Sequence, residues 1–499
     1  MSLVPQGLAS ERSSLGCQNF TAPEIPDAQV LSITSHAVHN LTVPPIHPAL
    51  STELPPLTFC NVSLALTHPR ENDTVFVTVA LPPAEKWNGR YQATGGGGIA
   101  AGYESNMFVP LATHFASSFT DGGLTLNHTV DPQSGTWALN DDGSLNTPLL
   151  LNLAWRSGHD MAVAAKAIIQ QYYGVGPSYS YWNGCSQGGR QGYAAAAHYP
   201  QDFDGILAMA PGLSLEYVGP AAFWPVVAMR NEGEMVPACI FDHFQQAIIA
   251  ACDPLDGLTD GAPCGHTTRT ITARHATIVR KILEGPRTDN GTQLWYGLAP
   301  GASFTGVAGL TVNKNGTPIP APFAPAAAWL KYTVLRNTTH DITQLTYAEY
   351  LRAFNRSIAQ GKPLLSTESL NDLSAFRAGG GKLLTWVGLA DQYIPPSNLF
   401  AYHDALVERF GSNRSAVNDF YRVFSAPGVG HCGGGPGPQP RDAMPALMDW
   451  VENGTAPETL PAWGVAANGS VVSRALCMYP ERLVYQAKGG LTMKLRPGA

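Results

Sequence analysis

The chain has 499 residues, 44 % of them hydrophobic and 13 % charged, with a formal net charge of −7 and a pI near 6.0. This composition is globular, and the length exceeds what one simple core organises, so a large domain with a second domain or a sizeable insertion is expected. No basic footprint for nucleic acid exists, and no apolar run of about 18 residues that could span a membrane, so neither is an expected partner.

The opening "MSLVPQGLAS" has neither a charged n-region nor an apolar h-region and does not read as a signal peptide. Other features point to secretion. Twelve Asn-X-Ser/Thr sequons occur, at Asn19, Asn40, Asn61, Asn72, Asn127, Asn290, Asn315, Asn337, Asn355, Asn413, Asn453 and Asn468, beside eight cysteines. Glycosylation and disulfides in an oxidising compartment are the expectation, which requires a leader already removed; otherwise the secretion reading fails.

Residues 1–75 are rich in Pro, Thr and Ser and suggest only short apolar runs. "TVFVTVALPP" (Thr74–Pro83) alternates as a strand, and "RYQAT" is a short strand running into Gly95–Gly98. "HDMAVAAKAIIQQYYG" has helical spacing and ends at a capping Gly174. "SYSYWNG" predicts a strand, "RQGYAAAAHYP" a helix stopped by Pro200, and "DGILAMAPG" a buried strand. Strand, tight turn, helix and strand in that order make a parallel α/β unit. From Leu213 the rhythm is lost, and it returns at "SLNDLSAFRAGGGKLLTWVGLAD" as helix, glycine triplet, strand and Asp391. "FYRVFSAPGVGHC" adds a strand and loop, and "RDAMPALMDWVENG" a helix ending at Gly454. The layout is an α/β domain, residues 1–212 and 371–499, carrying an inserted lid at 213–370.

Gly184-Cys185-Ser186-Gln187-Gly188 fits G-x-S-x-G with a strand before and a helix after, the context of a nucleophile elbow. The helix N-terminus there favours developing negative charge. A glycine turn with a capping serine would fit the pentapeptide alone. Serine needs a base, and in α/β-hydrolases the chain order is Ser, acid, His. Asp391 and His431 supply that order, each after a predicted strand, at the carboxyl edge where such sites form. His159 and His198 fall inside predicted helices and suit packing roles. The cysteines select His431. A bond between Cys185 and Cys432 would hold their Cα atoms about 4.4–6.8 Å apart and force Ser186 and His431, each one residue away, into one neighbourhood. Backbone N–H groups of Gln187 and of the Gly95–Gly98 run, with Gly97 the choice over Gly96, would meet the oxyanion.

The set "GCSQGGRQG", "PGVGHCGGGPG", "WNGRYQATGGGG", "DGILAMAPG", "GLADQYIPP" and "LCMYP" resembles the tannase and feruloyl esterase family, secreted esterases of the α/β-hydrolase fold with a lid. The resemblance spans most of the chain. It implies Ser186 as nucleophile, His431 as base, Asp391 as its orienter and a Cys185–Cys432 bond. "CDPLDGLTDGAPC" places Asp253, Asp256 and Asp260 on a short loop with Gly257 and Gly261. Such hard oxygens suit Ca²⁺, although a solvated acidic turn would look the same and the closing Glu of an EF-hand is missing. The resemblance implies a structural Ca²⁺ held there with the carbonyls of Leu258 and Ala262. A Cys252–Cys264 bond would staple the loop. Cys17 and Cys60 are expected to pair. In the family the cysteine of the "LCMYP" segment pairs with a later one, which this chain lacks, so Cys477 either bonds Cys239 or both are free.

The expected function is a secreted serine carboxylic ester hydrolase acting on small hydroxycinnamoyl esters of plant material, as a monomer or homodimer. A tannase cleaving galloyl esters is the alternative within the family. A catalytically degenerate wall-binding protein is the alternative of another class, and the filled Ser, Asp and His positions argue against it. Phe223, Trp224, Trp295, Tyr296 and Phe323 are candidates to line an aryl site, most of them more simply explained as core.

Overall fold

A computed structural model describes residues 16–44, 54–252, 271–365, 370–465, 469–484 and 494–496. Nine strands make one mixed sheet: β1 (Gln29–Leu41), β2 (Leu57–Thr67), β3 (Val75–Leu81), β4 (Arg90–Thr94), β5 (Ala116–Thr120), β6 (Tyr179–Cys185), β7 (Gly205–Met209), β8 (Lys382–Gly388) and β9 (Tyr421–Ala426). Their spatial order is β1-β2-β3-β5-β4-β6-β7-β8-β9. β1, β2, β3 and β5 pair antiparallel, and from β5 onward every pairing is parallel. This is an α/β-hydrolase sheet. Its parallel strands read as apolar runs because helices cover both faces. Helices α1 (Ser157–Tyr173) and α2 (Gln187–His198) join the parallel strands, with Gly174 capping α1 in the left-handed conformation at φ 74°.

Two stretches of the sheet were not visible in the residue pattern. The hairpin β1–β2 lies in the Pro/Thr/Ser-rich N-terminal segment. Its outer strand has no fully buried residue; Val30, Ile33, Val38 and Leu41 pack inward half-buried, with their spacing broken by two register shifts, among exposed Ser, Thr, His and Asn. β5, "ASSFT", is buried although half polar. Two of its three hydroxyls are satisfied inside: Tyr91 Oη lies 2.7 Å from Ser118 Oγ, and the Thr120 hydroxyl donates to the Phe76 carbonyl. Ahead of β8 the residues "SAFRA" form one helical turn, Ser374–Ala378.

Between β7 and β8 the chain builds a second apolar core around α3 (Leu215–Glu232), α4 (Ala273–Glu284) and α5 (Tyr347–Leu365), with Phe223, Trp329, Tyr350 and Phe354 inside. Ile99, Leu124, Trp137 and Leu153, from the segments that follow β4 and β5, belong to the same core, so the insertion is seated on the strand ends. Cys17 and Cys60 are bonded with Cα atoms 5.4 Å apart, which fastens the N-terminal segment to β2.

One buried ionic cluster ties the β2–β3 turn to α1. His68 is 3 % exposed; its Nδ1 lies 2.7 Å from Asp73 and its Nε2 3.1 Å from Asp160. Asn152 donates to the same Asp73 oxygen at 2.9 Å. Burial alone would lower the imidazolium pKa, but the bonds to Asp160 and Asp73 outweigh it and push it up to about 9. A raised folded pKa adds stability that is complete below the ordinary value of 6.5 and lost as pH climbs to about 9. His68→Asn should therefore melt below the wild type at pH 7, with the gap narrowing by pH 9.5. A gap constant across that range in differential scanning fluorimetry would refute the titration.

Candidate active site

β6 ends at Cys185 and α2 begins at Gln187, so Ser186 alone makes the turn, at φ 61° and ψ −120°. A non-glycine residue there is strained by roughly 1–3 kcal/mol. The backbone is held from both sides: Ser186 N–H donates to the Met209 carbonyl and Gly212 N–H to the Ser186 carbonyl, each at 3.0 Å. The glycines of the motif are forced by close approach. A Cβ on Gly184 would stand 2.5 Å from the Gly188 carbonyl carbon, and one on Gly188 would stand 2.8 Å from the Gly96 oxygen. Buried Arg190 fixes the start of α2. It donates to the Gln187 side chain at 2.8 Å and to the carbonyls of Leu153 and Ala154.

Asp391 follows β8 and is wholly buried. One carboxylate oxygen accepts the N–H groups of Tyr393 and Ile394, both at 2.8 Å, and the other lies 2.7 Å from His431 Nδ1. A carboxylate only accepts, so Nδ1 carries the proton and Nε2 remains the basic nitrogen. Gln392 accepts the His431 N–H at 3.0 Å, which anchors the loop beyond β9. Cys185 and Cys432 are bonded with Cα atoms 5.9 Å apart across 247 residues of sequence. In the chain-entropy view a loop of that length is worth roughly 5 kcal/mol as an upper figure. The bond brings the residues on either side of it, Ser186 and His431, to one place.

A space of about 460 Å³ opens above Ser186. Gly98, Ile99 and Gln187 line it together with Phe323, Tyr393 and Ile394. Phe323 stacks on Tyr393 at 4.3 Å, and Tyr393 meets the His431 ring edge-on at 5.4 Å. An adjoining space of about 390 Å³ shares Val218, Ala222 and Tyr393 with the first and adds Trp224, Trp295 and Tyr296. Of the five aromatic candidates, Phe223 alone is pure core. In the glycine run two amides are committed: Gly95 N–H to the Asn183 carbonyl and Gly96 N–H to Gln191 Oε1, both at 3.0 Å. His159 lies 2.8 Å from Asp202 and stacks on Tyr199, a packing role. Gln392, Tyr393, Ile394 and Gln191 are site residues that sequence reasoning missed. The signal available for the first three was adjacency to Asp391.

A family model described as "Tannase and feruloyl esterase" matches residues 60–263 and 262–494. The chain belongs to the tannase and feruloyl esterase family. It is a carboxylic ester hydrolase of that type. It is 40 % identical to a relative from Arthroderma benhamiae named "Probable feruloyl esterase", over 96 % of this chain and 92 % of the relative. It is 29 % identical to "Feruloyl esterase B" of Aspergillus niger over 82 % of each chain. Among solved structures it is similar to the tannin acyl hydrolase from Aspergillus niger, with TM-score 0.83, 25 % identity, and 95 % and 92 % of the two chains covered. It shares the fold of feruloyl esterase B from Aspergillus oryzae, with TM-score 0.77, 24 % identity, and 95 % and 97 % covered.

Cys239 and Cys477 are both free, so of the two alternatives for this pair the unbonded one holds. Burial pushes the Cys477 thiol up to about 11. Cys252 closes a helix, Ala238–Cys252. Asp253, Asp256, Leu258, Asp260, Ala262 and Cys264 lie outside the described residues. The double variant Cys185→Ala/Cys432→Ala should lower kcat on a soluble ester by about 10²-fold, because a 1 Å displacement of a reacting group carries that cost, and should lower the melting temperature. Full activity in that variant would remove the brace from the mechanism.

Proposed function

We propose that this family member cleaves hydroxycinnamoyl esters, with Ser186 as nucleophile, His431 as base and Asp391 as its orienter. The observation that carries the reading is the Asp391–His431 hydrogen bond of 2.7 Å, on a loop crosslinked to the Ser186 turn beneath an aromatic-lined space. His431 Nε2 takes the Ser186 proton as Oγ bonds to the ester carbonyl carbon. Asp391 holds the tautomer and stabilises the imidazolium. The oxyanion is met by the N–H of Gln187 and a second N–H from the glycine run, Gly97 or its neighbour Gly98. The C–O bond then breaks, and the imidazolium gives its proton to the departing alcohol. Water, deprotonated by Nε2, attacks the acyl-enzyme and releases the acid and Ser186. Phe323 and Tyr393 offer ring faces to an aryl group, and the Trp224–Trp295–Tyr296 space gives its far end room.

The 40 % identity to a relative named for ferulate favours hydroxycinnamates. The likeness to the tannin acyl hydrolase supports galloyl esters as the second reading. Two disulfides and twelve sequons support an extracellular site of action, and no helix among the described residues is long and apolar enough to cross a membrane. We also propose a structural Ca²⁺ at Asp253, Asp256 and Asp260 with the carbonyls of Leu258 and Ala262, supported by the hard oxygens of that sequence and by the resemblance to the family. Metal analysis after dialysis in trace Ca²⁺ should find one equivalent per chain, and its absence would end that assignment.

Kinetics on methyl ferulate, methyl caffeate and methyl gallate test the substrate. The cinnamates should be hydrolysed and gallate spared; a preference for gallate would make the enzyme a tannase. Ser186→Ala should be inactive, and Asp391→Asn should lose about 10⁴-fold in kcat, the size of effect seen when a histidine takes the wrong tautomer. Undiminished turnover by Ser186→Ala would sink the mechanism.

A further inference from the structure

The glycine run is gripped on its outer side by groups that take no part in the hydrolytic scheme above. The Gly97 carbonyl accepts three donors: Ala100 N–H at 3.0 Å, the Tyr103 hydroxyl at 3.1 Å and Gln133 Nε2 at 2.7 Å. Gln133 Nε2 also bonds the Tyr103 oxygen, and Gln133 Oε1 accepts the Ile99 N–H at 3.3 Å. One glutamine therefore spans the turn, holding the carbonyl that opens it and an amide inside it. Gly98 sits between at φ +60°, and a Cβ there would fall 2.3 Å from Gln133 Oε1. A side chain there would be strained in the left-handed region and would have to push the Gln133 amide off the turn.

A trans peptide points its C=O and the following N–H in opposite directions. Three bonds to the Gly97 carbonyl thus fix the Gly98 N–H on the side away from Gln133. Gly98 lines the space above Ser186 together with Gln187, the first residue of α2. The Gly95 and Gly96 amides are already spent on Asn183 and Gln191. We infer that Gln133, seconded by Tyr103, is a positioning residue that aims the Gly98 N–H at the developing oxyanion, opposite the Gln187 N–H. This deepens the ester-hydrolysis reading and rests on it. The donor is then Gly98 rather than Gly97: Gly97 does not line that space, and the carbonyl of its own peptide, Gly96 C=O, accepts the Gly188 N–H at 3.0 Å, which turns the Gly97 N–H away from the start of α2. Gln133 stands on the turn Pro132–Ser134, and a Cβ on Gly135, the next residue, would meet Ala328 and Tyr332 of the inserted segment at 2.9 and 3.1 Å. The brace of the oxyanion turn and the seat of the insertion are one loop.

The test uses the full chain with Gln133→Leu and, separately, Tyr103→Phe. Four quantities are read for each: kcat and KM on methyl ferulate, the affinity of an aryl boronic acid that forms an anionic tetrahedral adduct on serine, and the affinity of ferulate as product. Gln133→Leu should lower kcat by about 10- to 100-fold, somewhat less than outright loss of an oxyanion donor. Boronate affinity should fall in parallel, with KM and ferulate affinity within about twofold of wild type. Tyr103→Phe should show the same pattern at a few-fold, because Gln133 still holds the carbonyl. Unchanged kcat in both variants overturns the inference, as does an equal loss of boronate and ferulate affinity, the mark of general disruption. If Gln133→Leu fails to fold, the partly exposed Tyr103 carries the decision. Failure of the hydrolytic reading itself is seen separately, as a wild type inactive on every ester or a Ser186→Ala variant that retains turnover.

Discussion

Everything at this site depends on a backbone conformation that Ser186 does not prefer. At φ 61° it lies where a side chain is strained, and the strain lifts its hydroxyl above the carboxyl edge of the sheet. The surrounding structure over-determines that one residue. β7 supplies an acceptor at Met209, Gly212 returns a bond to the Ser186 carbonyl, and the glycines at 184 and 188 let three backbones pass at contact distance. The disulfide one residue earlier then ties this turn to the loop beyond β9. A strained turn of order 1–3 kcal/mol is easily held by such a set of constraints.

The same economy governs His431. Asp391 is buried, and its charge is met by two backbone N–H groups and by His431, so it neither seeks solvent nor turns away from the imidazole. Tyr393 gives its amide to Asp391 and its ring to the cavity. Orientation of the His431 imidazole and the shape of the pocket are thereby linked through one short loop. The inserted segment closes the pocket from above with Phe323, and its own core extends down onto the loops after β4 and β5.

Much of this was legible from residues alone. The elbow motif, the order Ser186, Asp391, His431 and the placing of a cysteine beside two of them are local signals, and the parallel strands are apolar runs of ordinary length. The N-terminal hairpin and β5 were not legible. The inward positions of β1 are only half-buried and are broken by two register shifts, and β5 buries Ser118 and Thr120 against Tyr91 and a backbone carbonyl, so neither shows a regular apolar alternation. Gln133 was equally silent, since nothing in "DPQSG" marks a glutamine whose partners lie thirty or more residues earlier.

By itself the sequence determined the family, the fold class, the candidate nucleophile, acid and base, and the reason for two of its cysteines. These depend on short motifs whose geometry is set within a few residues. Tertiary structure decided which glycine amides remain uncommitted, that Cys239 and Cys477 stay unbonded, and which aromatic residues face the cavity rather than the core. Each of those is a question of which distant group arrives at a given atom. Spacing along the chain does not encode it, because the partners meet only when separate strands and loops are packed against one another.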